Sequence, residues 1–281
     1  MTDIIAHSLP FIIALVPKMM AAALLVVTAT VVSEKMGPAI GALIATLPVS
    51  SGPAYVFLAL DHGPAFISQS ALSSLALNVP TAILAVIYVW LAQRRSLRTS
   101  IGLALAIWLP CVALSAWLDM GTAAAAILTV IVFPLCIFFV QPYLGPAAAS
   151  GDLRISDVAI RASAVALLVA AVEAIGLYAG SEMTGFLAAF PIVFISMMVI
   201  LHLRHGGPVA AAVLAHSIAG LAGVSAAYLA LHFLAVPLGN TLALAVALCV
   251  SLLWNLGLFT MHRLRHSASR QAVTPSISTI S

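Results

Sequence analysis

Charge is what this chain has least of. Only 7% of its 281 residues are Asp, Glu, Lys or Arg. A soluble domain carries about a quarter. So few charges cannot cover a water-facing surface, which excludes an ordinary soluble fold. Aromatics are also sparse at 7%, and there are three cysteines, Cys111, Cys136 and Cys249. All three lie inside apolar runs, and their spacing fits no metal motif, so each reads as a small hydrophobe. No HExxH, GxSxG, Walker loop or paired acidic motif occurs, so the reading is of a non-enzyme without cofactor or metal. The net charge of +3 is spread between apolar runs and forms no basic domain. No nucleic-acid partner is expected. No cleavable leader is expected, because the N-terminus carries Asp3 and His7 rather than a basic stretch.

What is present is hydrophobic sequence, 63% of the chain, in long continuous runs. Only helices and closed barrels satisfy the backbone in hydrocarbon. A barrel would show short alternating segments of about 10 residues, which are absent here. The expected fold is all-α, a polytopic membrane protein of about nine spanning helices. The nine segments are roughly 11–33, 37–60, 66–92, 100–118, 121–140, 157–179, 183–203, 208–235 and 240–262. Gly, Pro and charged residues punctuate the breaks, as in Asp61-His62-Gly63-Pro64 and Arg204-His205-Gly206-Gly207-Pro208. The Ser/Thr-rich stretch 266–281 reads as a disordered cytoplasmic tail.

Alternating the loops places ten of the eleven basic residues on one side, with Asp61, Asp119 and Glu182 on the other. By the positive-inside rule the chain is expected N-out and C-in, in a bacterial inner membrane. The exception is Lys18, which either snorkels outward or sits within the first span. Trp90, Trp117 and Tyr55 near segment ends read as interfacial anchors.

Two stretches resemble each other. Gly41-Ala-Leu-Ile-Ala-Thr-Leu-Pro48 is followed by Gly63-Pro64. Thr184-Gly-Phe-Leu-Ala-Ala-Phe-Pro191 is followed by Gly207-Pro208. Pro191 minus Pro48 is 143, and Gly207 minus Gly63 is 144. Residues 1–118 then form a first four-helix unit, 119–152 a connector helix and 153–265 a second four-helix unit. A single connecting span turns the second unit upside down. Inverted repeats are a frequent scaffold of alternating-access transporters.

Lys18, an apolar run, Ser33-Glu34-Lys35 and Gly41 through Pro48 resemble the pattern of small GlpM-type and related uncharacterised bacterial membrane proteins. The second half, Arg161 through Pro191, resembles it too, with Arg161 in place of the Lys and no basic residue after Ser181-Glu182. Those proteins have about four helices, so the chain resembles a fused pair. The resemblance implies inner-membrane location and no defined chemistry.

Pro48 and Pro191 fall near the middle of the second and seventh segments. Interrupted helices at matching positions of two repeats point to a binding site. The candidate substrate contacts are therefore Thr46, Pro48, Ser50, Ser51, Pro191 and Ser196. Glu173 is a carboxylate inside a span, where such a group faces a cavity or partner. His216 titrates near neutrality. These two are the candidates for proton coupling. Asn78, Gln69 and Asn255 read as interhelical glue. Glu34 and Glu182 suit capping at the helices that follow them. The leading functional expectation is a secondary permease of a small solute, possible as a homo-oligomer in the bilayer. The alternative is a non-transport subunit or scaffold in envelope or polysaccharide assembly.

Overall fold

The computed structural model describes residues 2–35, 51–118, 120–144 and 154–272. Among them there is no strand, and eight helices are long and apolar enough to cross a membrane. The chain is an all-α, multi-pass membrane protein. The helices are α1 (Thr2–Lys35), α2 (Ser51–Asp61), α3 (Pro64–Leu91), α4 (Leu97–Trp117), α5 (Thr122–Val140), α6 (Ile155–Tyr178), α7 (Gly180–Ala188), α8 (Ile192–His205), α9 (Gly207–Leu238) and α10 (Asn240–Ala272). Each matches an expected segment. The second is described only over α2, and the seventh is divided into α7 and α8.

Two boundaries differ from expectation. The first helix begins well before residue 11 and runs through Pro10 and Pro17, leaving Lys18 inside the span Ile13–Val31. The last helix continues to Ala272, into residues expected to be tail. Ser-Ala-Ser-Arg-Gln-Ala offers no breaker before Pro275, and Ala, Arg and Gln are good helix formers.

The centre of the bundle is α3, buried over most of its length. It is a helix of small and hydroxylated residues, which lets neighbours approach closely. Ser70 donates to the Ser181 carbonyl at 2.8 Å and Ser74 to the Gly185 carbonyl at 2.6 Å, fixing α7 against it. Asn78 donates to the Leu221 carbonyl at 2.9 Å and to Ser225 Oγ at 2.7 Å, fixing α9. Its role as interhelical glue is thus observed. Ser68 and Thr122 both meet the ring of His232, at 3.1 and 2.9 Å, joining α3, α5 and α9 at one end. By contrast α4 and α5 turn Leu103, Ile107, Val130, Ile131 and Phe138 outward, an apolar surface suited to lipid. Trp90 and Trp117 are exposed at helix ends, as anchors should be. Tyr55 is not an anchor: it is buried, bonded to Ser74 Oγ at 2.7 Å, with its ring 5.9 Å from that of Tyr228. Its position along the chain suggested an interface, but its face of α2 points at α9.

Asn78→Ala is expected to lower stability by about 1 kcal/mol, the usual worth of an interhelical hydrogen bond in a membrane. Thermal unfolding of the purified protein in detergent checks this.

The connections sort charge to opposite ends. Asp61, His62 and the N-terminus of α10 meet at one end, where Asn240 donates to the Ala59 and His62 carbonyls. At the other end Arg204 Nη2 lies 2.6 Å from Asp157 Oδ2, joining α8 to α6. The α8–α9 reversal at that end passes through Gly206, whose φ of 83° a side chain would disfavour. Arg94 and Arg95, after α3, belong to this same end, because Gly207 abuts the Ala92 carbonyl.

Candidate functional site in the membrane interior

The seventh segment is truly interrupted. α7 stops at Ala188 and α8 starts at Ile192. Between them Ile192 N–H donates to the Phe190 carbonyl at 2.7 Å across Pro191, whose φ of −79° and ψ of 48° make an inverse γ-turn. Proline suits this point because it has no N–H to satisfy and its φ is already set. Pro191 is buried, and Phe190 packs edge-on against Trp108 at 5.5 Å. Irregular backbone inside a span is tolerated because protein covers it. Phe190, Ile192 and Val193 pack on the same apolar cluster as Ala54, Tyr55 and Leu58 of α2.

Two of the hydroxyls expected to contact a solute lie in described elements. Ser196 is buried in the second turn of α8 and donates to the Val193 carbonyl at 2.8 Å. Ser51 is buried at the start of α2 and hydrogen-bonds with Tyr228. Thr46, Pro48 and Ser50 lie outside the described residues.

The strongest polar feature joins three residues distant in sequence. Lys18 of α1 donates to Glu173 Oε2 of α6 at 2.6 Å and also to Asp61 Oδ2 at the end of α2. Glu173 is 4% exposed and Lys18 14%, while Asp61 is 47% exposed and borders solvent. Glu173 lies five residues before the end of α6, about 7–8 Å along its axis. One turn on, Gly176 leaves room for the His62 ring, whose Nε2 would be 3.1 Å from a Cβ there. His62 in turn stacks on Phe66 at 3.9 Å. Burial works against the Asp61 carboxylate, yet the Lys18 ammonium outweighs it and holds the group below its usual range. Burial also lowers the affinity of the His62 ring for a proton, against the pull of Asp61.

The sequence pointed to Glu173 but not to its partners. Lys18 and Asp61 are the residues that meet it, whereas His216 lies exposed on α9. Glu182 sits in the first turn of α7, where its charge favours the helix N-terminus. It also lines a small pocket with Gln69, Ser73 and Ser115, holding about 20 Å³, room for roughly one water. Among the described residues no group of His, Cys, Asp and Glu could hold a metal ion.

Comparison with known proteins returns no matching family model, no matching curated protein and no matching solved structure. The functional reading therefore stands on the geometry alone. That geometry offers three things: a buried helix interruption, the buried Ser196 hydroxyl in the helix that follows it, and an ion cluster tying α1, α2 and α6 near one end of the bundle.

Proposed function

We propose that the chain is a secondary permease of a small solute, lying N-out and C-in in a bacterial inner membrane. Residues 1–118 and 153–265 are its two inverted units. The observation that carries this reading is which helices pack on which. α3 and α9 hold the same place in the two units, and they pack on each other; so do α1 and α6. An axis relating two such helices must bring each residue near its crossing against its own counterpart. Asn78 meets Leu221, 143 residues away, the same offset that separates Pro48 from Pro191. The offset also sets Arg161 opposite Lys18 and Arg204 opposite Asp61. Asp61, in the acid-rich cluster at one end, thus has as its counterpart Arg204, which holds Asp157 at the other end. The interruption at Pro191 supports the same reading, since broken helices at a repeat interface are where transporters bind solute.

The solute would lie between α2 and the α7–α8 break, contacting Ser51 and Ser196. Purified protein in sealed vesicles, tested with a panel of radiolabelled small solutes, is expected to accumulate at least one. Ser51→Ala combined with Ser196→Ala is expected to cut that uptake at least tenfold while elution and thermal midpoint stay unchanged. Glu173→Gln is expected to impair it as well. Uptake of no solute by the wild type, or full uptake by both variants, would sink the reading. A scaffold role instead requires a co-purifying partner and no uptake.

A further inference from the structure

The Lys18–Asp61–Glu173 cluster is unbalanced. Two carboxylates face one ammonium, so with all three ionised it carries −1. Glu173 Oε2 takes the Lys18 donor, while Glu173 Oε1 is buried and accepts no hydrogen bond. A buried carboxylate oxygen without a donor is costly, more so where water is scarce. The site is therefore built to take one more donor or positive charge.

The surroundings decide which. From α1 the cluster is faced by Lys18, from α2 by Asp61, and from the turn after α2 by His62, which lies over Gly176. From α7 comes Thr184, whose Oγ1 is spent on the Gly180 carbonyl at 2.6 Å; Glu182 on that helix is exposed. The charged residues of α8 lie at its far end, where Arg204 holds Asp157, sixteen residues from Glu173 and about 24 Å along α6. A metal ion does not suit the space between the two carboxylates, because the ammonium already occupies it. A proton does.

We propose that Glu173 is a proton-binding site and that Lys18 changes partners when it fills. A proton arriving from the aqueous end that Asp61 borders bonds to a Glu173 oxygen and converts the carboxylate to a neutral acid. The cluster charge goes from −1 to 0. Lys18 then keeps Asp61 alone, and the tie between α1 and α6 is released while that between α1 and α2 stays. Loss of the proton to water restores it. The coupling ion of the permease is then a proton, and that consequence rests on the transport reading; the site itself does not.

The test is infrared difference spectroscopy of the full chain in lipid nanodiscs, following the protonated-carboxyl C=O band across pH. A band is expected that is lost in Glu173→Gln and kept in Glu182→Gln. In Lys18→Gln it should persist to higher pH by about one unit or more, because the ionised form has lost its partner. In Asp61→Asn it should vanish at lower pH, because a competing negative charge is gone. A misfolded variant would not move the two midpoints in opposite directions. A band indifferent to Glu173→Gln, or equal midpoints in all variants, would overturn the proposal. If the band behaves as expected and no solute is taken up, the proton site stands and the permease reading falls. If solute is taken up and the band is indifferent, the permease reading stands and the proton site falls.

Discussion

Lys18→Met is expected to destabilise the protein by about 3–5 kcal/mol, the usual cost of removing one partner from a buried ion pair. Glu173 is almost wholly enclosed, and Lys18 is the donor its carboxylate has. Removing the ammonium leaves that charge in a low-dielectric interior, where water cannot compensate it. The loss should grow as pH rises, since at low pH the orphaned group escapes its penalty as a neutral acid. The second substitution tells the mechanism. Lys18→Met with Glu173→Gln should recover most of the loss, because a neutral pair of similar shape leaves no buried charge. Thermal unfolding in detergent at several pH values measures both. A single variant as stable as the wild type, or a double variant no better than the single one, would mean the cluster contributes nothing to the fold.

Gly185→Ala is the second large effect, expected at up to about 3 kcal/mol. A Cβ on Gly185 would run into the backbone carbonyl of Ser70, with its Cα and carbonyl carbon also in the way. The backbone of a buried helix cannot move aside as a side-chain tip can. The insertion must push α7 off α3, which also stretches the Ser70 and Ser74 hydrogen bonds. Gly102→Ala is the matched control. Nothing lies within 4 Å of its added methyl, so helix propensity alone should make it neutral or stabilising by up to about 1 kcal/mol. Equal effects at the two sites would refute the close packing of α7 on α3.

The spans were legible because hydrocarbon demands long apolar runs and the chain has little else. The interruption at Pro191 was legible too, since a proline in mid-span must release a backbone hydrogen bond. Asn78 was legible as glue for a similar reason: an amide buried in a span has to find a partner. The cluster was not legible as a cluster. Lys18 stands 43 residues from Asp61 and 155 from Glu173, and no local spacing joins them. A signal was nevertheless present. Lys18 was the one basic residue falling on the side of Asp61, and Glu173 lay near the same end. A lone cation placed among acids by topology is a candidate partner for them. Tyr55 failed for a different reason. Position along a segment locates depth but not direction, and its ring faces Tyr228 in the interior. Thr46, Pro48 and Ser50, outside the described residues, are expectations from sequence.

The proposed permease requires the region between α2 and the α7–α8 break to open to both sides of the membrane in turn. Cysteine accessibility tests it without knowledge of the solute. Cys111, Cys136 and Cys249 are replaced by Ala, and a single cysteine is placed at Ser51 or Ser196, both buried in this structure. Sealed vesicles are then treated with a membrane-impermeant maleimide from each face separately. A permease is expected to be labelled at the same cysteine from either face. Labelling from one face only, or from neither, would contradict it and leave a static helical bundle.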